Sequence, residues 1–179
     1  SQGHPLHLIY ALEGLIRSGK PIRADDIKAL PPCPDGDIRK YYKELWIGLS
    51  AVARNILHAL AGSDFYWPSL GVRQCLGDYG EIEFLLEPSN AGMMPFHQSI
   101  FAYVREREDH DETYLALLPR IVSWLESEAP KYWKWGWLWL VQAEAEKFEN
   151  LLNETTREWV VTSLAHGWPE RQIIKILAA

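Results

Sequence analysis

Cysteine is scarce in this chain: Cys33 and Cys75 are the only two among 179 residues, and they show no CxxC spacing. A disulfide framework is thereby excluded, and a reducing, cytoplasmic compartment is the economical expectation. Basic charge is also in short supply, with 18 Lys and Arg against 24 Asp and Glu, a net charge of −6. The deficit is shared, 11 basic against 13 acidic residues in 1–108 and 7 against 11 in 109–179. Neither half carries the clustered cations that phosphate contacts need, which argues against nucleic acid as a partner. The densest apolar stretch, Trp135 to Val141, falls far short of the roughly 20 residues of a spanning helix, and no secretory signal is present, so no membrane association is expected. Motifs of the GxSxG, HExxH and GxxxxGK[ST] types are missing as well, so these residues are not expected to be catalytic by themselves.

Metal and acid–base chemistry find little support. Of six histidines, only His4-x-x-His7 has a spacing that would put two rings on one helical face, and without a third ligand nearby a zinc site is not expected. Asp25-Asp26 and Glu81/Glu83 lie in polar turns and need no acid–base role.

What the chain has in excess is tryptophan. Trp46 and Trp67 stand alone in the first 120 residues, whereas Trp124, Trp133, Trp135, Trp137, Trp139, Trp159 and Trp168 crowd the last 59. Two differently built halves are expected. The cluster reads as helix–helix packing, with some rings exposed at a repeat interface; a base-stacking surface would call for a basic groove, and Lys131 and Lys134 face Glu126, Glu128, Glu144 and Glu146 nearby in sequence.

Periodicity supplies the elements. Leu8, Leu12, Leu15 and Ile16 share a face of a helix over 5–18, with Pro5 in its first turn and Gly19 at its stop. The stretch Leu30-Pro31-Pro32-Cys33-Pro34-Asp35-Gly36 must be a loop and a first boundary. A helix follows from Asp37, and Ser50 caps a second whose Val52, Ile56, Leu57 and Leu60 point inward. A third short helix runs from Ser69 to Leu76 and ends at Gly77; then come the apolar run Ile82 to Leu86, turn residues Pro88 to Gly92, and a short strand at Met93 to Phe96. Together these suggest a helix-turn-helix unit with a small β wing.

After His97 a helix carries Ile100, Phe101 and Val104 into the charged run Arg105 to Glu112, read as a solvated linker and the second boundary. The second half is expected to be short helices in stacked pairs, in the manner of an α-solenoid. A stripe over 113–126 is broken at Pro119; the next helix spans Pro130 to about Glu146; a capping box Thr155-x-x-Glu158 opens Trp159 to Ala165; Gly167 stops it and Pro169 starts another. The fold class is therefore mainly α, a winged-helix domain with a small β wing followed by solenoid-like helical pairs. The chain opens at Ser1-Gln2-Gly3 without methionine and ends within the apolar Ile176-Leu177-Ala178-Ala179, from which an excerpt of a longer protein is expected.

Three segments carry a resemblance. Gly3-His4-Pro5-Leu6 looks like the G-x-P-L motif that follows the nucleotide-binding core of the signal-transduction ATPases called STAND proteins, the superfamily of NACHT and NB-ARC switches. The series Ile38, Tyr41, Tyr42, Leu45, Trp46, Leu49, Ser50, Ala53, Arg54, Ile56 and Leu57 resembles the start of their winged-helix domain. Phe96-His97-Gln98-Ser99-Ile100-Phe101-Ala102-Tyr103 is similar to the F-H-x-S-F-x-x-Y/F segment that closes it, with Ile100 replacing the usual aromatic.

The resemblance covers about residues 3–105 and lacks the Walker motifs that define the family. It implies residues 1–30 as the end of a helical subdomain, 36–107 as a winged-helix domain and 110–179 as a truncated helical repeat region. It implies that Pro5 packs beside adenine and that His97 reaches the β-phosphate of ADP in the intact, bacterial-type parent. ADP or ATP with Mg would be the parent's cofactor, and none would be held by these residues alone. The partners implied are the parent's own NTPase domain in cis, proteins docking on the repeats, and further copies on activation. The alternative is a winged-helix DNA-binding regulator with a helical dimerisation or effector domain, whose reading helix, Ser69 to Leu76, offers only Arg73 as a cation.

Overall fold

Pro5, with its fixed φ and missing N–H, suits a first helical turn and opens α1 (Pro5–Arg17) in the computed structural model, which describes residues 5–17, 21–28 and 37–179. Gly3, His4, Gly19, Cys33 and the segment 30–36 invoked above lie outside the described residues. The chain is mainly helical with one small antiparallel sheet, and it divides into two compact units, residues 1–110 and 111–179. Among the described residues no helix is long and apolar enough to cross a membrane.

In the first unit a single turn of helix, α2 (Ala24–Lys28), follows α1. Asp37 accepts from Arg39 N at 2.9 Å to start α3 (Ile38–Gly48), and Ser50 Oγ accepts from Ala53 N at 3.2 Å to start α4 (Ala51–Gly62). Each side chain satisfies a backbone donor of the first turn, the usual reason for Asp or Ser at such a position. The α5 helix (Ser69–Cys75) is succeeded by a 3-10 helix over Gly80–Leu85, so the apolar run at Ile82 is helical rather than extended. Then come β1 (Leu86–Ser89) and β2 (Gly92–Pro95), paired antiparallel with Leu86 opposite Pro95 and Ser89 opposite Gly92. Trp67 adds a bridge to Met93 on the other edge of β2, with Met93 N donating to Trp67 O at 2.7 Å. Finally α6 (Gln98–Arg105) packs on α4, and its Arg105 Nε donates to Ala61 O at 2.8 Å.

The core of this unit contains Ile56, Leu57, Trp67, Val72, Ile82, Leu85, Ile100 and Val104, all essentially removed from solvent. Burial of each such side chain is worth roughly 1.5–3 kcal/mol. Two expected orientations are corrected. Val52 is half-exposed, and only Ile56, Leu57 and Leu60 of its set point inward. In α1 the buried face is His7 and Tyr10, while Leu8 and Ile16 are exposed. The surface facing α1 is aromatic, with Tyr41, Tyr42, Phe84 and Phe96 all ringed around Tyr10 at centroid distances of 5.9–6.3 Å. Edge-to-face and offset ring contacts select Tyr10 over the aliphatic stripe.

The charged run is shorter as a linker than expected, because α7 (His110–Ser127) begins at its sixth residue. This helix also runs through Pro119 instead of breaking there. Leu115 and Pro119 both face solvent, so the carbonyl left without a helical N–H can be hydrated. The second unit continues with α8 (Lys131–Glu144), α9 (Glu149–Glu154), α10 (Arg157–Ala165) and α11 (Glu170–Ala178). The α8 helix packs against α9 and α11, and α10 against α11. Leu140, Leu151 and Ile176 form a core cluster onto which Trp137, Trp139, Ala143 and Trp159 pack.

The capping box is off by one residue. Thr156, not Thr155, accepts from Trp159 N at 3.2 Å, because the Thr155 hydroxyl is already donated to Leu151 O at the end of α9. Gly167, with φ of +73°, stops α10 in the left-handed conformation that favours glycine, and Trp168 N closes back onto Ser163 O at 3.1 Å.

Candidate functional site

His97 is the N-cap of α6, separated from β2 by Phe96 alone. Its Nδ1 accepts from Ser99 N at 3.2 Å and lies 2.8 Å from Ser99 Oγ, which in turn is 2.7 Å from the hydroxyl of the fully buried Tyr42. An Nδ1 that takes a backbone N–H carries a lone pair, so the neutral ring is the Nε2–H tautomer. His97 is thus an exposed donor oriented from behind by a buried tyrosine through one serine.

Pro5 is exposed at the start of α1, about 7.5 Å along the helix axis from Tyr10 at 1.5 Å per residue. Tyr10 meets Phe96, the neighbour of His97, at 5.9 Å. The helix bearing Pro5 and the strand end bearing His97 therefore share one aromatic cluster. Burial, reinforced by Tyr42 and Tyr41, pushes the Tyr10 phenol far above the ordinary tyrosine range, so it stays neutral. His7 packs edge-on against Tyr41 at 4.7 Å. Among the described residues no group of three or more His, Cys, Asp or Glu could hold a metal ion.

Two features escaped the sequence. His58, within α4, and His110, the first residue of α7, are both buried and sit with their Nδ1 atoms 3.0 Å apart. Their rings stack at 5.2 Å, and Trp46 closes on His58 edge-on at 5.2 Å. The pairing spans 52 residues, and no short motif announces it.

The second feature is a cavity of about 450 Å³ in the second unit, walled by Trp135, Trp139, Trp159 and Trp168. Trp168 stacks on Trp135 at 4.8 Å and Trp135 on Trp159 at 5.9 Å, both within 15° of parallel, while Trp139 tilts against Trp159 at 5.3 Å. The Trp135 indole donates to the buried Ser163 hydroxyl at 3.0 Å. Spacings of 4, 20 and 9 residues held the signal, but period alone does not separate ring packing from a cavity wall.

A larger cavity of about 740 Å³ in the first unit is lined by Arg39, Lys43, Tyr103 and the Glu106–Asp109 turn. Its guanidinium groups are already occupied. Arg39 bonds Glu106 at 2.9 and 3.0 Å, and Arg107 bonds Asp109 at 3.0 and 3.3 Å while lying over Trp46. Internal neutralisation leaves it little affinity for a charged ligand.

No family model, curated protein or solved structure matches this chain.

Proposed function

We propose that the chain is the regulatory portion of a STAND-type signal-transduction NTPase, the first unit acting as a nucleotide-state switch and the second as a sensor and oligomerisation module. The observation that carries this reading is the order of elements after Ser50. A helix, a bridging residue at Trp67, a second helix, a 3-10 turn and a two-stranded hairpin follow one another, with Trp67 and β1 on opposite edges of β2. That is the order a winged helix requires, and it delivers His97 to the start of the next helix as an exposed Nε2–H donor. The helical pairs of the second unit support a solenoid beginning there.

In this reading the His97 N–H bonds the β-phosphate of ADP held by the parent's NTPase core, and Pro5 packs beside the adenine. A hydrogen bond from a second domain to the diphosphate holds the domains closed, and loss of ADP releases them, so the nucleotide biases a two-state equilibrium. ATP with Mg, or a ligand on the repeats, would favour the released and oligomerising state. These 179 residues alone are not expected to retain nucleotide.

The same element order serves DNA-binding winged helices, but the charges oppose that use. Arg73, the one cation of α5, lies over the Tyr79 ring at 4.9 Å, and the Gly80–Leu85 turn contributes Glu81 and Glu83 with no cation. The test is His97→Ala in the intact protein. Faster ADP release and a raised basal state are expected, and an unchanged ADP off-rate with an unchanged basal state would reject the role.

A further inference from the structure

We propose that the tryptophan-walled cavity of the second unit is a binding site for a planar aromatic anion, a fused-ring carboxylate or an aryl phosphate. At about 450 Å³ it is of the size that small-molecule sites occupy. Its walls are built before any ligand arrives: three indoles form a near-parallel ladder, and the middle one is pinned through its N–H to buried Ser163. A rigid aromatic wall loses little conformational entropy when a flat ring is placed against it.

Trp139 and Trp159 pack on the core, yet part of every ring stays outside it. Trp135, Trp139, Trp159 and Trp168 are all only half-buried, in a unit whose aliphatic Leu140, Leu151 and Ile176 are buried almost completely.

Polar groups decide the sign of the ligand. Lys131 and Lys134 come from the start of α8, against a single carboxylate, Glu154. Lys134 is held in place by donating to Glu126 O, which leaves its charge uncompensated, and Lys131 is exposed. His166 is occupied at Nδ1 by Thr162 O and is not needed as a charge. Two ammonium-bearing residues of the lining stand against one carboxylate. A quaternary ammonium, the other ligand that indole walls attract through their π faces, would meet a net positive rim. An anion attached to a flat ring satisfies both the walls and the rim.

The experiment uses the full chain with its tryptophans labelled at Nε1 with ¹⁵N, titrated with 1-naphthoate, with neutral 1-naphthalenemethanol and with 1-naphthylmethylammonium. Saturable shifts of the Trp139, Trp159 and Trp168 resonances with naphthoate are expected, with those of Trp46 and Trp67 unmoved. The ammonium probe should bind about fivefold more weakly or worse, and the alcohol should fall between them. Lys131→Gln, an exposed substitution that leaves the walls intact, should weaken naphthoate about threefold and leave the ammonium probe no weaker. Absence of a saturable shift at millimolar naphthoate, equal or tighter binding of the ammonium probe, or indifference of naphthoate affinity to Lys131→Gln would overturn the proposal.

Discussion

The Nδ1 atoms of His58 and His110 lie 3.0 Å apart inside the first unit, where His58 is 2% and His110 5% exposed. A contact of that length between two ring nitrogens requires one N–H and one lone pair, so the two rings cannot both be imidazolium. Burial pushes the His58 imidazole down to about 4; the Asp109 carboxylate acts against this, and His110 and Arg107 lower it further. Asp109 is itself partly buried, yet the Arg107 guanidinium holds its carboxyl below the ordinary range. The pair thus holds His110, the last residue of the first unit, against the middle of α4 as long as at least one of the two rings is neutral.

The pH dependence follows with a definite sign. The folded value of about 4 lies below the ordinary 6.5, so between these values the unfolded chain binds a proton that the folded chain refuses. Stability is full above pH 6.5, falls as pH drops toward 4, and levels below it, a loss of roughly 3 kcal/mol from this group alone. Urea unfolding at pH 7.5, 5.5 and 4.5 measures it. In His58→Leu the slope over this window should flatten, and an unchanged slope would show that other groups govern the acid limb.

Gly92 permits the wing. Its φ is +128°, and a Cβ there would fall 2.7 Å from both the Trp67 and Tyr66 carbonyl oxygens, which are backbone and cannot step aside. Gly92→Ala combines strain at positive φ with a clash against the bridge to Trp67, and a loss of roughly 2–4 kcal/mol is expected. Thermal unfolding would register it as a drop in Tm, and a change of less than about 0.5 kcal/mol would contradict the close approach.

Glu81 stitches the 3-10 turn to the start of α4. Its carboxylate accepts from Ser50 N at 2.9 Å and from Ser50 Oγ at 2.5 Å, while that same Oγ accepts from Ala53 N. Ser50→Ala and Glu81→Ala should each cost about 1–2 kcal/mol. Because they disrupt one network, the double variant should cost clearly less than their sum. Additive losses in a double-mutant cycle would mean that the two residues act independently.

Glu146 is the one non-glycine described residue with positive φ, at 59°. It closes α8 with Lys147 N donating to Gln142 O at 2.8 Å, a left-handed cap that glycine fills without a Cβ penalty. Its side chain is exposed. Glu146→Gly should therefore raise stability by about 0.5–1 kcal/mol, against the usual direction for a glycine placed near a helix. Calorimetry on the pair decides it.

Much of the helical framework was legible because its signals are local. Asp37 and Ser50 act as caps within three residues of what they bond, Gly77 and Gly167 stand at helix ends, and the Pro88–Gly92 turn sits where β1 becomes β2. Thr155 misled by one position because two adjacent threonines compete and the preceding helix takes the first. Pro119 misled because it lies on the solvent side of α7 with Leu115, where the carbonyl left without a helical N–H can be hydrated. His97 was singled out by resemblance; that its ring is oriented through Ser99 by Tyr42 came from packing.

The amino-acid order alone determined most of the caps and turns, that tryptophan concentrates in the second half, and that acidic residues outnumber basic ones. Those properties depend on neighbours a few residues away and on composition. Tertiary structure decided which face of α1 is buried, that two histidines 52 residues apart meet at their Nδ1 atoms, and that four indoles, two of them packed on the core, wall a cavity. Each of these depends on what comes to lie opposite a residue in space. An amphipathic stripe specifies that something must cover it, but the shape and charge of the cover are properties of the assembled fold.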